Sequence, residues 1–411
     1  GRVWADIGLA AHGPLTVRAD LATLNLAQLA PLGGAGLGGL AEVHGVLSGP
    51  FRNLSASATI DGRDVVVTDR AIADRMVTRL DSPDLKRLEF TDIRAELGES
   101  KYIGTLNLHF PPEGMWIDTE LVVPSGRIAD LSGIFVDLPG LDGDVVADAS
   151  LRGTARRLSG EVHAEFDNVD VFGEKFATGV ATAWMDDGVL TIADLSLRRR
   201  EEAVLARGSV GRGYAMNVQL LSDGVRLEDL DHLQGLPVDV AGELVVDVAV
   251  GGTLFDWRPR GRLSLARSRV GERAAGDGAV TFSTTADGVL GWEAELLDKA
   301  VRAEGSVALG GDLPYDVRAQ FDVVPLHLLY PVAADGSPLW LTTTGKVDVT
   351  GRLRGDDRAV GIDARLSEVF LRWNRHELRN PEDWVFAVHG TSVQVPGISL
   401  QEGDRTRLDL K

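Results

Sequence analysis

No cysteine occurs anywhere in the 411 residues. Disulfides, thiol nucleophiles and thiolate metal sites are therefore excluded together, while the redox compartment stays open. No stretch approaches 18 consecutive apolar residues, so the sequence contains no membrane-spanning helix. Basic residues fall well short of acidic ones, and the net charge of −19 argues against nucleic acid, whose phosphates need a basic surface. The eight histidines form neither a His-x-x-x-His pair nor a His-Glu-x-x-His helix, and no Gly-x-Ser-x-Gly elbow is present. The Gly33–Gly39 tract lacks a following Lys-Ser/Thr and reads as a turn, not a phosphate loop. Carboxylate pairs such as Asp186-Asp187 and Asp356-Asp357 fall at turn-like positions, where Asp is expected on other grounds. No catalytic residue, metal ligand or cofactor is assigned, and the chain reads as a non-enzyme.

Aromatics are also scarce, at 6%, while Gly (48) and Asp plus Glu (61) are abundant. Many strands separated by Gly, Asp and Asn turns would give that composition. One strand pattern recurs. Gly39–Gly49, Gly143–Gly153, Gly242–Gly252 and Gly345–Gly355 are each bracketed by glycines ten positions apart, and start 104, 99 and 103 residues after one another. Inside each bracket, alternate positions are apolar or glycine, and those between them are mostly polar, among them Glu42, His44, Asp148, Asp247 and Asp348. Period-two alternation puts the two sets on opposite faces of a strand.

Further landmarks keep the same register. Asp-Gly at 187–188 and 287–288 predicts tight hairpin turns, each preceding a second glycine-led strand at Gly208 and Gly305. Leucine spacing suggests a short amphipathic helix over Leu21–Leu32, and short helices or bends at Arg226–Gly235, Arg127–Leu131 and Pro325–Pro331. Each repeat then holds one such bend and six to eight strands. The repeats run over about 21–125, 126–222, 223–322 and a truncated 323–411, as one continuous array over 1–411. The chain begins Gly1-Arg-Val-Trp and ends Leu408-Asp-Leu-Lys411, which reads as an internal piece of a longer protein.

A sheet with one apolar face must cover that face, and these helices are too few and too short to do it. The fold class expected is all-β: a long, curled, mostly antiparallel repeat sheet whose apolar face forms an elongated U-shaped groove. Its lining is assigned to Val43, Leu47, Val145, Ala147, Leu151, Leu244, Val246, Val248, Val250, Val347, Val349 and Leu353. Such medium and small side chains leave room inside, and phospholipid acyl chains are the fitting occupant. The eight tryptophans, one or two per repeat, read as caps on the apolar core or as the rim of the groove.

The order Gly-x-Val-x-Val-x-Ala-x-Leu-x-Gly, then Asp-Gly-Val-Leu-Thr-Ile, then Gly-Ser-Val-x-Leu resembles the repeats of TamB and the wider AsmA-like family of diderm bacteria. The likeness covers the chain from about Leu21 to Lys411. It implies a periplasmic rod with a taco-like β groove, anchored to the inner membrane by a segment not present here and carrying phospholipid toward the outer membrane. It also implies an Omp85-type barrel partner, engaged through a region outside this sequence. Two other readings stay open. One is a passive scaffold that assists outer-membrane protein assembly through exposed strand edges. The other is a surface β-solenoid adhesin, or a carbohydrate-active relative, which would repeat every 18–30 residues with stacked ladders that are not seen here.

Overall fold

A computed structural model describes residues 1–7, 14–29, 36–50, 53–67, 70–111, 114–135, 140–154, 157–234, 239–253, 255–271, 273–325, 339–354, 360–390, 392–395, 397–403 and 406–410. The protein is all-β, with its strands antiparallel in a curled sheet. Two compact units make it up: Gly1–Glu201 with Leu205–Arg212, and Glu202–Val204 with Gly213–Lys411.

The first unit opens with β1 (Arg2–Ile7), β2 (Pro14–Asn25), β3 (Leu37–Pro50) and β4 (Ser55–Val67). It continues through β5 (Arg70–Ser82), β6 (Arg87–Leu97), β7 (Ser100–His109) and β8 (Trp116–Arg127). After helix α1 (Ile128–Phe135) come β9 (Leu141–Thr154), β10 (Arg157–Val171), β11 (Glu174–Asp186) and β12 (Val189–Arg199). Each of these strands pairs antiparallel with its neighbour in sequence. Strand β13 (Glu202–Val210) crosses the boundary between the units in sequence.

The second unit holds β14 (Ala215–Arg226), β15 (Val240–Thr253), β16 (Asp256–Val270), β17 (Arg273–Thr284) and β18 (Val289–Leu296). Then follow β19 (Val301–Ala308), β20 (Pro314–Pro325), β21 (Leu339–Arg352) and β22 (Gly361–Trp373). From β14 to β22 the pairing again follows chain order. Near its end the order loosens. Strand β22 pairs with both β23 (His376–Arg379) and β24 (Trp384–His389), and β24 pairs with β25 (Ser392–Gln394). Strand β26 (Ile398–Glu402) touches β23 and pairs with β27 (Thr406–Leu410).

The bracketed repeat strands are β3, β9, β15 and β21, so one repeat is six strands. The glycines that close the first three brackets serve one purpose, while Gly355 lies outside the described residues. Gly153 has φ +133°, and a Cβ there would meet the Arg157 carbonyl oxygen at 2.1 Å; Gly49 and Gly252 stand in the same relation to Asn53 and Asp256. Only a residue without a side chain lets the next strand return this closely. Both Asp-Gly turns form as expected, between β11 and β12 and between β17 and β18.

The opposite ends of the strands carry β-bulges. Register shifts occur at Leu21/Leu24, Gly38/Leu40, Val123/Gly126, Asp167/Asp170, Ser222/Val225, Leu265/Ser268 and Phe321/Val324. A bulge bends its strand and sharpens the twist. The enclosed residues gather there: Thr78, Ile93, Val169, Ser222, Val225, Ser268 and Val324 are all buried. Helix α1 packs at this end against β5, β8 and β9.

One expected helix is corrected. Over Leu21–Leu32, β2 runs on to Asn25, and only a 3-10 turn at Leu26–Leu29 follows, with the Asn25 side chain accepting from the Ala27 N–H at 3.0 Å. Over Arg226–Gly235 there are two separate 3-10 turns, Leu227–Asp229 and Asp231–Leu233, because Leu230 between them is extended. In both places the leucine spacing serves the bulge and its cover instead of a helical face. The bend at Arg127–Leu131 is α1. Pro325 ends β20, and 326–331 lie outside the described residues.

Candidate functional site

Directly opposed residues of an antiparallel pair share a face, so the registers can be followed from strand to strand. In the first unit one row runs Ala19, Gly45, Ala58, Leu80, Phe90, Leu106, then Thr119, Leu151, Gly160, Met185 and Leu190. In the second unit a row runs Leu220, Val248, Gly261, Phe282, Trp292, Gly305, then Val317, Val349, Ile362 and Val388. Each row crosses ten or more strands, and Thr119 carries the one hydroxyl of the two rows. Apart from Val248, every member is neither buried nor fully exposed.

That intermediate state has a physical meaning. A second sheet stacked about 10 Å away would bury such a face as a sandwich core does. Among the described residues the side chains of each row are shielded mainly by their ladder neighbours, and full burial is concentrated at the bulges. Large residues lie over glycines of the next strand and cover the backbone that those glycines leave bare. A Cβ on Gly305 would meet the Trp292 ring at 2.6 Å, and one on Gly179 would meet Leu197 at 2.7 Å.

The residues assigned from sequence fall as follows. Val43, Leu47, Ala147, Leu151, Leu244, Val246, Val250, Val347 and Val349 are half-buried on their strands. Val145 and Val248 are buried, at 6% and 9% exposure, so they belong to the floor and not to an accessible lining. Val248 sits against Gly261, where an added Cβ would meet its side chain at 3.1 Å. Leu353 lies just past the end of β21 at Arg352, at 56% exposure, with its N–H donating to the Leu313 carbonyl at 3.2 Å. The polar neighbours His44, Asp148 and Asp247 are exposed, while Asp348 is half-buried. In β15 the two faces differ less, because Val245 and Ala249 are as shielded as their neighbours.

Most of each row was not assigned from sequence. Leu80, Phe90, Leu106, Phe282 and Trp292 stand on strands between the repeat strands. Their signal was the same alternation, carried across the hairpins by the turn lengths. Of the tryptophans, Trp116 and Trp257 are exposed beside the glycine-bracket hairpins, and Phe255 beside Trp257 stacks edge-on with Tyr214 at 5.6 Å. Trp384 instead donates its indole N–H to the Ser399 carbonyl at 3.2 Å.

Electrostatics at the bulge end is structural. The Ser100 hydroxyl donates to Asp130 of α1 at 2.9 Å and accepts the Arg127 N–H at 2.8 Å. Asp130 also takes the Glu99 N–H at 2.9 Å. The Tyr102 hydroxyl donates to the Ile72 carbonyl, and burial pushes its pKa up to about 12. On the polar face His44 lies 3.0 Å from Asp20 and 3.1 Å from Glu42, and hydrogen bonds to Asp20 and then Glu42 raise its pKa. No group of three or more His, Asp or Glu side chains among the described residues is placed to hold a metal ion.

No family model, no protein of curated function and no solved structure matches the chain.

Proposed function

We propose that this chain is a bridge segment along which phospholipid passes between the inner and outer membranes of a diderm bacterium. The observation that carries the reading is an apolar face that crosses strand after strand within each unit and stays half-exposed, while full burial gathers at the bulges. Moving hydrocarbon into water costs about 0.8 kcal/mol per methylene, which for two acyl chains forbids free diffusion. A face that offers nearly equal apolar contact at every strand replaces one large barrier with many small ones. Head groups stay in water throughout, and no catalytic group is needed. On this reading the protein works in the periplasm, held to the inner membrane by a segment outside this sequence. It meets an Omp85-type barrel through a region that is also outside it.

The test is site-specific photocrosslinking in cells. A crosslinker at Val43, Ala147 or Val347 is expected to capture phospholipid, detected by mass spectrometry, while one at His44 or Asp148 captures none. Val349→Asp is expected to block lipid passage. Equal capture from both faces, or none from either, would remove the conduction reading and favour a passive assembly scaffold.

A further inference from the structure

The polar face of the second unit dips into a hollow of about 530 Å³ between the β18–β19 turn and β22. Arg302, Gln320, Lys346 and Arg365 stand directly opposite one another on β19, β20, β21 and β22. All four line the hollow, and Lys299 reaches it from the turn. Lys346 and Arg365 are like charges face to face on adjacent strands, an arrangement that is unfavourable unless something between them carries negative charge.

The acids nearby leave this excess incompletely answered. Glu295 lies 3.6 Å from Lys299 and 3.8 Å from Arg302, and Asp383 lies 3.8 Å from Arg365. These separations exceed the roughly 2.7–2.9 Å of a charge-assisted hydrogen bond. Lys346 has no ion pair among the described residues. With Glu295 counted beside Asp322 and Asp383 of the lining, four cations face three anions in a chain whose net charge is −19.

A second observation concerns the backbone. Leu297, Asp298 and Lys299 have φ of 53°, 53° and 72°, three consecutive left-handed residues with side chains. Such backbone persists only where its surroundings hold it, and it tends to mark functional sites. Here the Asp277 N–H donates to the Asp298 carboxylate at 2.8 Å, and the Asp298 N–H donates to the Asp277 carbonyl at 2.9 Å. The outcome is to present Lys299 at the mouth of the hollow.

We propose that this hollow is a binding site for a phosphate group, either free or as a lipid head group. Two guanidinium groups offer paired N–H donors that match phosphate oxygens, and Lys346 adds a compact charge between Gln320 and Arg365. The Ser367 hydroxyl and the Gln320 amide supply neutral donors. Next to it Glu293, Glu304 and Asp348 stand on the polar face around the single cation Arg318, which lies 3.6 Å from Glu304, an arrangement that favours a small anion over an extended polyanion. The site lies on the face opposite the apolar row, so it does not depend on the conduction reading.

The whole chain would be titrated with inorganic phosphate by calorimetry at constant ionic strength. Flotation with phosphatidylcholine vesicles, plain or doped with phosphatidic acid, would be run alongside. Saturable phosphate binding is expected, weakened at least tenfold by Lys346→Gln or Arg365→Gln and unchanged by Lys101→Gln in the first unit, with circular dichroism confirming that every variant is folded. Binding to doped vesicles that is lost in the same variants identifies a lipid head group as the source; binding of inorganic phosphate alone identifies the free anion. Absence of saturable binding in both arms, or binding that survives both substitutions in a folded protein, overturns the proposal.

Discussion

At the bracket hairpins after β3, β9 and β15 a single glycine decides whether the sheet can turn. At Gly153 the backbone is left-handed, and an added methyl would overlap the Arg157 carbonyl at 2.1 Å. Gly133 lies inside α1 with nothing within 4 Å of an added Cβ. The two sites predict opposite signs for one substitution. Gly153→Ala is expected to lower stability by about 1–3 kcal/mol through enforced strain. Gly133→Ala is expected to raise it by about 0.5–1 kcal/mol, because alanine loses less backbone freedom in a helix. Denaturant midpoints of the two variants check this, and a shift of the same sign in both would remove the steric account of the bracket glycines.

Among the elements, α1 and the bulges are the feature that closes one end of the first unit. The Ser100 side chain, with 0% exposure, is the joint between β7, the end of β8 and the helix. Ser100→Ala leaves the Arg127 N–H and one Asp130 oxygen without that partner, at a cost of about 1–3 kcal/mol. Hydrogen exchange at the Arg127 amide should accelerate in the variant, while amides of β2 and β3 stay protected. Unchanged exchange at Arg127 would show that the joint holds nothing. The strands themselves were legible because alternation at Val43, Leu47, Ala147 and Leu151 has no competing helical period, and Asp187-Gly188 fixes its turn chemically. The bulges were legible only in part: Asp64, Asp92 and Asn168 are of the short polar types that favour a left-handed backbone, but Arg267 and Val323, at the same kind of position, are not. Val323 is held there by cross-strand contact, its N–H donating to the Thr344 hydroxyl at 3.2 Å. Leucine spacing near bulges therefore imitates a helix, as at Leu21–Leu32 and Arg226–Gly235. Burial of Val145 and Val248 escaped notice for a related reason, since alternation gives the face of a residue but not its depth.

At the scale of the whole molecule, acid and base limits follow from ties that join neighbouring strands. Asp144 is held below its ordinary 3.8 by hydrogen bonds from Asn168 and then Arg127, and Glu402 is held below 4.5 chiefly by the bond from His376. For a lowered acid the contribution is complete above the unfolded value and disappears as pH falls through the folded one. His44 has the opposite sign: its contribution is complete below 6.5 and disappears as pH rises through its raised value. The thermal midpoint is expected to plateau between about pH 4.5 and 6.5 and to fall on the acid side. Asp144→Asn should soften the acid limb, and Asp20→Asn should remove part of any alkaline decline. A midpoint that climbs steadily above pH 7 would contradict these assignments.

From β1 to β12, and again from β14 to β22, no strand waits for a partner from a distant part of the chain. Loop-closure entropy is then met one hairpin at a time, unlike the long-range pairing that slows most large β proteins. A polypeptide built this way can zip itself together while it is still being threaded through a pore, each new arm laid on the last. Its length can therefore change by whole six-strand modules without altering the order in which it assembles.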